Sequence, residues 1–260
     1  MITRGDFSQI KAIYFDLDDT LCGYWDASKE GLRRAFEIHG PEGHDVVDLV
    51  QHWAAAFRSY APTLKQTHWY EGYLKTAEPS RTELMRLTLE RLSIADQELA
   101  AKLSHAYMLQ RDQALKLFPE SIEVILALRK KFPLGLITNG PADVQRQEID
   151  TLGIEVYFSN IFIEGEMGEG KPAKGVFDRA AQAVSCEPAE CLMVGNSYGH
   201  DICGALNNGW HAVWIRRDTD VPPSAEGETS RPEELPEGGP EPDAIIESLQ
   251  ELLPLLGMKS

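Results

Sequence analysis

Asp16 and Asp18 stand two residues apart in the run Asp16-Leu17-Asp18-Asp19-Thr20. Carboxylates that close repel each other unless a cation lies between them. A hard dication such as Mg²⁺ takes oxygen ligands and keeps room for water and phosphate. With that charge offset, one carboxylate can attack phosphorus to form an acyl phosphate. The other can protonate the leaving oxygen, then take a proton from the water that breaks the intermediate. A phosphoryl group in transfer also needs cationic and hydrogen-bonding support, for which Thr138, Lys171 and backbone N–H groups are the candidates.

These residues can act together only if the fold collects them. Residues 11–15 (KAIYF) are short, β-branched and aromatic, and read as a buried strand ending at Asp16. After Pro119, helical and strand patterns alternate. Helices are expected over 121–132, 144–153, 174–184 and 201–209, and strands over 133–138, 160–165, 191–195 and 211–216. Strand after helix after strand, with apolar strands, means a parallel sheet covered on both faces: a Rossmann-like, three-layer α/β/α core. Right-handed crossovers place every strand's carboxyl end on one rim. That rim gathers Asp16–Thr20, Thr138-Asn139-Gly140, Gly170-Lys171-Pro172, and Gly195-Asn196-Ser197 with Asp201.

Between residues 28 and 117 the pattern is helix after helix, with apolar residues at three- and four-residue spacing. Gly40, Pro41, Pro62 and Pro79 punctuate it, and no strand-like alternation interrupts it. An inserted all-helical domain over 22–117 is expected, with the core formed by 1–21 and 118–260. Residues 217–242 are rich in Pro, Gly and Glu and poor in apolar side chains, which predicts a mobile loop. Residues 243–256 then read as a last short strand and helix.

Composition narrows the classes. With 43% hydrophobic residues in 260, the chain can bury a substantial core. Its net charge of −16 and lack of a basic stripe argue against a nucleic-acid partner. A small anionic substrate stays compatible, because a metal and a few donors can reverse the potential within one cleft. Cys22, Cys186, Cys191 and Cys203 form no C-x-x-C pair and read as free thiols, which suits a reducing cytoplasm. The first residues show no signal-like apolar run, and no stretch is long enough to span a bilayer, so no membrane partner is expected. A monomer or a homodimer would be ordinary.

The set D-x-D-x-T, T-N-G, G-K-P and G-N-S-x-x-x-D, in that order over 12–216, resembles the haloacid dehalogenase-like superfamily in its phosphatase branch. The helical block resembles that family's C1-type cap. The resemblance implies Asp16 as nucleophile and Asp18 as general acid/base. Thr138, Asn139 and Lys171 would serve the phosphoryl group. It also implies Mg²⁺ held by Asp16, the backbone carbonyl of Asp18, Asn196 and Asp201. Many relatives carry Asp where Asn196 stands, so weaker metal affinity is expected. Asp19 receives no role.

Specificity would come from a cap closing over the rim. Tyr24 and Trp25, just after the first motif, are expected near the leaving group of a small phosphorylated metabolite. A second cap candidate is the cluster His68-Trp69-Tyr70-Glu71-Gly72-Tyr73. His200 beside Asp201 reads as a solvated neighbour rather than a proton shuttle. Rival readings are a 2-haloacid dehalogenase, whose relatives lack the second acid of the first motif, and a phosphomutase. Non-enzyme rivals are a receiver-type signalling module, which would be shorter and lack the insertion, and a silent scaffold suggested by Asn196.

Overall fold

The structure is a computed structural model and describes residues 2–67 and 69–258. At its centre lies β2 (Ala12–Phe15), every residue of which is buried. Around it run β3 (Leu134–Thr138), β4 (Asn160–Ile163), β5 (Cys191–Gly195), β6 (His211–Ile215) and β7 (Ala244–Ile246). With β1 (Ile2–Thr3) they form one sheet in the order β1-β7-β6-β5-β2-β3-β4. All pairs are parallel except β1 against β7, where Ile2 faces Ile245. The two-residue β1 carries no sequence signal of its own and closes the sheet edge.

Alternation along β2 divides the core. Ile13 and Phe15 join Val124, Ile125 and Leu128 of α6 (Ser121–Leu128) and Ile149 of α7 (Ala142–Leu152). Ala12 and Tyr14 face Val176, Phe177 and Ala180 of α9 (Lys174–Ala183). Helices thus cover both faces, which is why the strands read as continuous apolar runs rather than alternating ones. The buried Tyr14 hydroxyl donates to the Ala180 carbonyl at 2.7 Å, and its ring lies against Gly135, where a Cβ would collide with it. A polar group placed in that layer is satisfied, as burial requires.

The helical insertion comprises α1 (Tyr24–His39), α2 (Val46–Leu64), α3 (Tyr70–Lys75), α4 (Glu78–Glu90) and α5 (Gln97–Ala114). Asp45 and Asp96 cap α2 and α5 by accepting from Val47 N and Leu99 N, leaving fewer orphan amides at those ends. Leu32, Phe36, Leu49, Trp53, Met85, Leu89 and Leu103 form a third core of the insertion's own. Helices α1 and α5 approach so closely that a Cβ on Gly31 would stand 2.9 Å from the Arg111 backbone. The chain leaves the sheet and returns side by side: Cys22 pairs with Leu117, Gly23 N donates to Lys116 O, and Phe118 N to Leu21 O.

Several boundaries differ from the sequence reading. Helix α1 begins at Tyr24, four residues before Ser28. Pro62 lies inside the end of α2 and Pro79 in the first turn of α4, where a missing N–H costs little. The strand expected to run through Gly165 stops at Ile163, and Glu164 opens the short α8 (Glu164–Met167). Before α10 (Cys203–Asn207) the chain makes a π-helical turn at Tyr198–Ile202.

Residues 217–242 have no helix or strand, as expected, but they are anchored rather than free. Arg58 of α2 bonds Pro223 O and Ser230 Oγ and pairs with Glu228, while Ala225 is buried in the insertion's core. On the sheet side, Tyr198 N donates to Glu233 and Tyr198 OH to Pro240 O. The low apolar content that predicted mobility is met by these polar contacts. The segment returns through β7, a 3₁₀ turn at Leu249–Glu251 and α11 (Leu252–Leu255). Among the described residues no helix is long and apolar enough to cross a membrane, and all four cysteines are free.

Candidate active site

Asp16 ends β2, where its amide donates to Val194 O of the neighbouring β5. Its carboxylate is buried, with Oδ1 2.6 Å from Lys171 Nζ and Oδ2 accepting from Thr20 Oγ1 at 3.2 Å. The same Nζ lies 2.6 Å from Asp201 Oδ1, an ion pair without hydrogen-bond geometry. Lys171 is buried and so bridges two buried acids that follow the neighbouring strands β2 and β5. Its backbone is held in turn by Asn139: Nδ2 donates to Lys171 O at 2.7 Å, and Oδ1 accepts from Lys171 N at 2.8 Å.

Asp18 remains partly exposed and accepts from Gln145 Nε2 at 3.0 Å. Gln145 Oε1 accepts from Thr138 Oγ1 at 2.6 Å, and Nε2 also reaches Glu148 Oε2 at 3.1 Å. A polar line therefore runs from Thr138 through Gln145 to Asp18. Glu148 is fully buried and pairs with Arg111 of α5 at 3.0 Å. Gln145 and Glu148 are the polar residues on the inward face of α7, between buried Val144 and Ile149. Sequence reasoning passed over them because a helix pattern alone does not tell a buried polar pair from a solvated one.

Asp19, given no role in the sequence, is buried and adopts φ 56°, the left-handed region that Asp tolerates better than most. Its Oδ1 accepts from Trp25 N, tying the first motif to the start of α1. Asn196 Oδ1 accepts from Thr20 Oγ1, and its Nδ2 donates to Asp220 Oδ2 at 2.9 Å. Asp220 belongs to the acidic segment after β6, whose composition concealed it.

The acids outnumber the cations here. Burial, with Asp201 and Asp18 nearby, raises Asp16 to about 7 against the pull of Lys171. Burial next to Asp220 and Asp18 raises Asp19 to about 9, and burial raises Asp220 to about 6. Asp18 is also raised, by burial, although the Gln145 hydrogen bond opposes this. Acids crowded around one ammonium form a donor set suited to a hard, oxygen-seeking dication. Among the described residues no group of three His, Cys, Asp or Glu side chains stands ready-made for a metal ion, here or elsewhere.

The insertion roofs this site over a cavity of about 450 Å³. Tyr24 and Trp25 line it, as do Tyr70 and Tyr73, whereas Trp69 is exposed and His68 lies outside the described residues. Tyr24 faces the Arg111 guanidinium at 5.6 Å, and Trp25 meets Phe57 edge-on. His200 also lines the cavity, with its Nδ1 3.1 Å from Ser197 Oγ. Among the contacts that hold the roof down, Tyr70 OH donates to Glu164 at 2.6 Å, and Asp143 accepts from Thr76 Oγ1 and Ala77 N. Glu164 also accepts from Gly140 N, so one carboxylate joins the T-N-G loop to the roof.

A family described as haloacid dehalogenase-like hydrolase matches residues 10–209, and a HAD-hydrolase-like family matches 168–252. N-acylneuraminate-9-phosphatase from Homo sapiens is 29% identical over 227 residues, 83% of this chain and 86% of that protein. Phosphoserine phosphatase from Thermus thermophilus is 34% identical over 224 residues, 80% of this chain and 89% of that protein. Among solved structures, the magnesium-bound HAD-hydrolase YfnB from Bacillus subtilis superposes with a TM-score of 0.70. It is 22% identical, covering 96% of this chain and 99% of that one. The likeness extends over the sheet and the helical insertion seen here, and the chain belongs to the haloacid dehalogenase-like hydrolases.

Proposed function

We propose that this chain is a Mg²⁺-dependent phosphatase of small phosphomonoesters, with 22–117 as its cap and 1–21 and 118–260 as its core. The observation that carries the reading is Lys171 Nζ within 2.6 Å of both Asp16 and Asp201, beside an Asp18 linked through Gln145 to Thr138. Asp16 attacks phosphorus, and the P–O bond to the leaving alcohol breaks as Asp18 gives that oxygen its proton. Asp18 then takes a proton from water, whose oxygen attacks phosphorus and breaks the bond to Asp16, releasing inorganic phosphate. Lys171 balances the charge on Asp16 and on the phosphoryl oxygens throughout, and Asn139 fixes the loop that carries Lys171.

Asp16, the Asp18 carbonyl, Asn196 and Asp201 would hold Mg²⁺, which when bound supplies electrostatic stabilisation to the transferring phosphoryl group. Thr138 Oγ1 donates to Gln145 here, so its service to the phosphoryl group requires that bond to be shared or exchanged. The relatives that hydrolyse phosphate esters support the reaction class. Asp18 disfavours dehalogenation, since halide leaves without a proton. A cytoplasmic setting agrees with the four free thiols.

Release of inorganic phosphate from a panel of phosphomonoesters, with Mg²⁺ and with a chelator, tests the reading. Magnesium-dependent turnover lost in Asp16→Asn is expected. Turnover that survives Asp16→Asn would sink the mechanism, and a phosphate that returns to another carbon of the sugar would indicate a mutase.

A further inference from the structure

Arg81 lines the active-site cavity from α4, yet no acid among the described residues forms an ion pair with it. Nε and Nη1 are buried and make no hydrogen bond to any described residue. The other guanidinium in the cavity, Arg111, is matched by Glu148 and Asp112. The acids near it are engaged elsewhere: Asp143 accepts from Thr76 Oγ1 and Ala77 N, and Glu78 accepts from Thr82 Oγ1. A half-buried cation that no acid pairs directly is costly; burial and the Arg111 charge both disfavour it, and the more distant Asp143 and Glu78 offset this in part. Such a group is retained where a ligand completes it.

We propose that Arg81 binds a carboxylate on the substrate, so that the preferred phosphomonoester carries a carboxylate at the end under the cap. This deepens the phosphatase reading and rests on it. A guanidinium's planar fork matches a carboxylate bidentately, and one positive charge balances one carboxylate. A second phosphate, carrying nearly two charges, would find no further unpaired cation among the described residues beside Arg81: Lys65 is largely exposed and lies 3.6 Å from Glu164. Much of the rest of the cap wall is aromatic and aliphatic, including Trp25, Phe57, Leu64, Leu84 and Met108. Those side chains exclude water from the Arg81 contact and strengthen it.

Two esters of one shape test this, phenyl phosphate and 4-carboxyphenyl phosphate, each assayed with Mg²⁺. The wild-type protein should favour the carboxylated ester, and Arg81→Met should lower its kcat/KM about tenfold to a hundredfold, chiefly through KM. Turnover of phenyl phosphate should change less than about threefold, which also reports that the variant is folded. Arg81→Lys should recover part of the preference. Equal use of both esters by the wild type, or equal losses on both in Arg81→Met, overturns the assignment and leaves phosphate hydrolysis standing. Should neither ester turn over, the fault lies with the phosphatase reading, and calorimetric titration of both into Asp16→Asn protein decides the carboxylate site. Tighter binding of the carboxylated ester, abolished by adding Arg81→Met, supports it, and equal affinities reject it.

Discussion

Asn196 donates its side-chain amide to the carboxylate of Asp220 at 2.9 Å, so the neutral residue at the fourth motif's first acid position is paired with an acid from the segment after β6. The charge missing at Asn196 is thus present one hydrogen bond away. Asp220→Ala should weaken Mg²⁺ binding about tenfold, as loss of an outer partner to a metal ligand does. Titration calorimetry reads this without turnover. In chelator at pH 8, Asn196→Asp should place two carboxylates in contact and cost about 1 to 3 kcal/mol. Asn196→Asp/Asp220→Asn exchanges the two roles and should restore stability. Equal denaturation midpoints for all three proteins would contradict the pairing.

Lys171 and Asn139 divide the work between charge and position. Lys171→Met removes the ammonium between buried Asp16 and Asp201 and should cost about 3 to 5 kcal/mol in metal-free protein. Urea denaturation with and without Mg²⁺ checks it, because the dication should return part of the loss. Asn139→Ala removes both bonds to the Lys171 backbone. If Asn139 only positions Lys171, kcat should fall about tenfold or more with KM little changed. A rise confined to KM would instead make Asn139 a substrate contact.

The rim residues were legible in the sequence because each stands at the end of a strand with strong β-character or in the loop or turn that follows it, and parallel topology forces those ends together. Asp16, Asp18, Thr138, Lys171 and Asp201 are drawn to one site for that reason. Gln145, Glu148 and Arg111 were not legible, since their meaning depends on which helix faces are buried and on a contact between insertion and core. Asp220 was hidden for another reason: in a run of acids, nothing local marks the one that turns inward. Arg81 shows the same limit, as an arginine on a helix ordinarily faces solvent.

Crowded acids should also set the pH dependence of stability in metal-free protein. Asp16, Asp19 and Asp220 are raised to about 7, 9 and 6, while in the unfolded chain each titrates near its ordinary value of 3.8. Between these limits the folded state holds protons that the unfolded state has released, so stability falls as pH rises. It is fully present below the unfolded value of 3.8 and lost progressively from there until pH has risen through the folded values, the last of them about 9. Denaturation midpoints in chelator should therefore decline from pH 5 to pH 9. Asp19→Asn should flatten the upper part, and Mg²⁺ should restore stability at pH 8. A chelated profile that rises with pH would show these acids to be ionised in the folded state.

Arg111 and Glu148 join α5 to α7 through an ion pair that is almost wholly buried on both sides. Breaking it from one side strands the other charge, so Arg111→Met should cost about 3 to 5 kcal/mol. Arg111→Met/Glu148→Leu replaces the pair with apolar volume and should recover most of that stability. It should not recover turnover, because Gln145 loses Glu148 as a partner and holds Asp18 less firmly. Gly31→Ala approaches the same pair from behind: its new methyl meets the Arg111 backbone at 2.9 Å, which should displace α5 at a cost of about 1 to 3 kcal/mol. Stability by urea denaturation and kcat, measured on all three variants, separate the contributions. Recovery of both in the double variant would mean that the pair only fastens the cap, whereas recovery of stability alone places it in the support of Asp18.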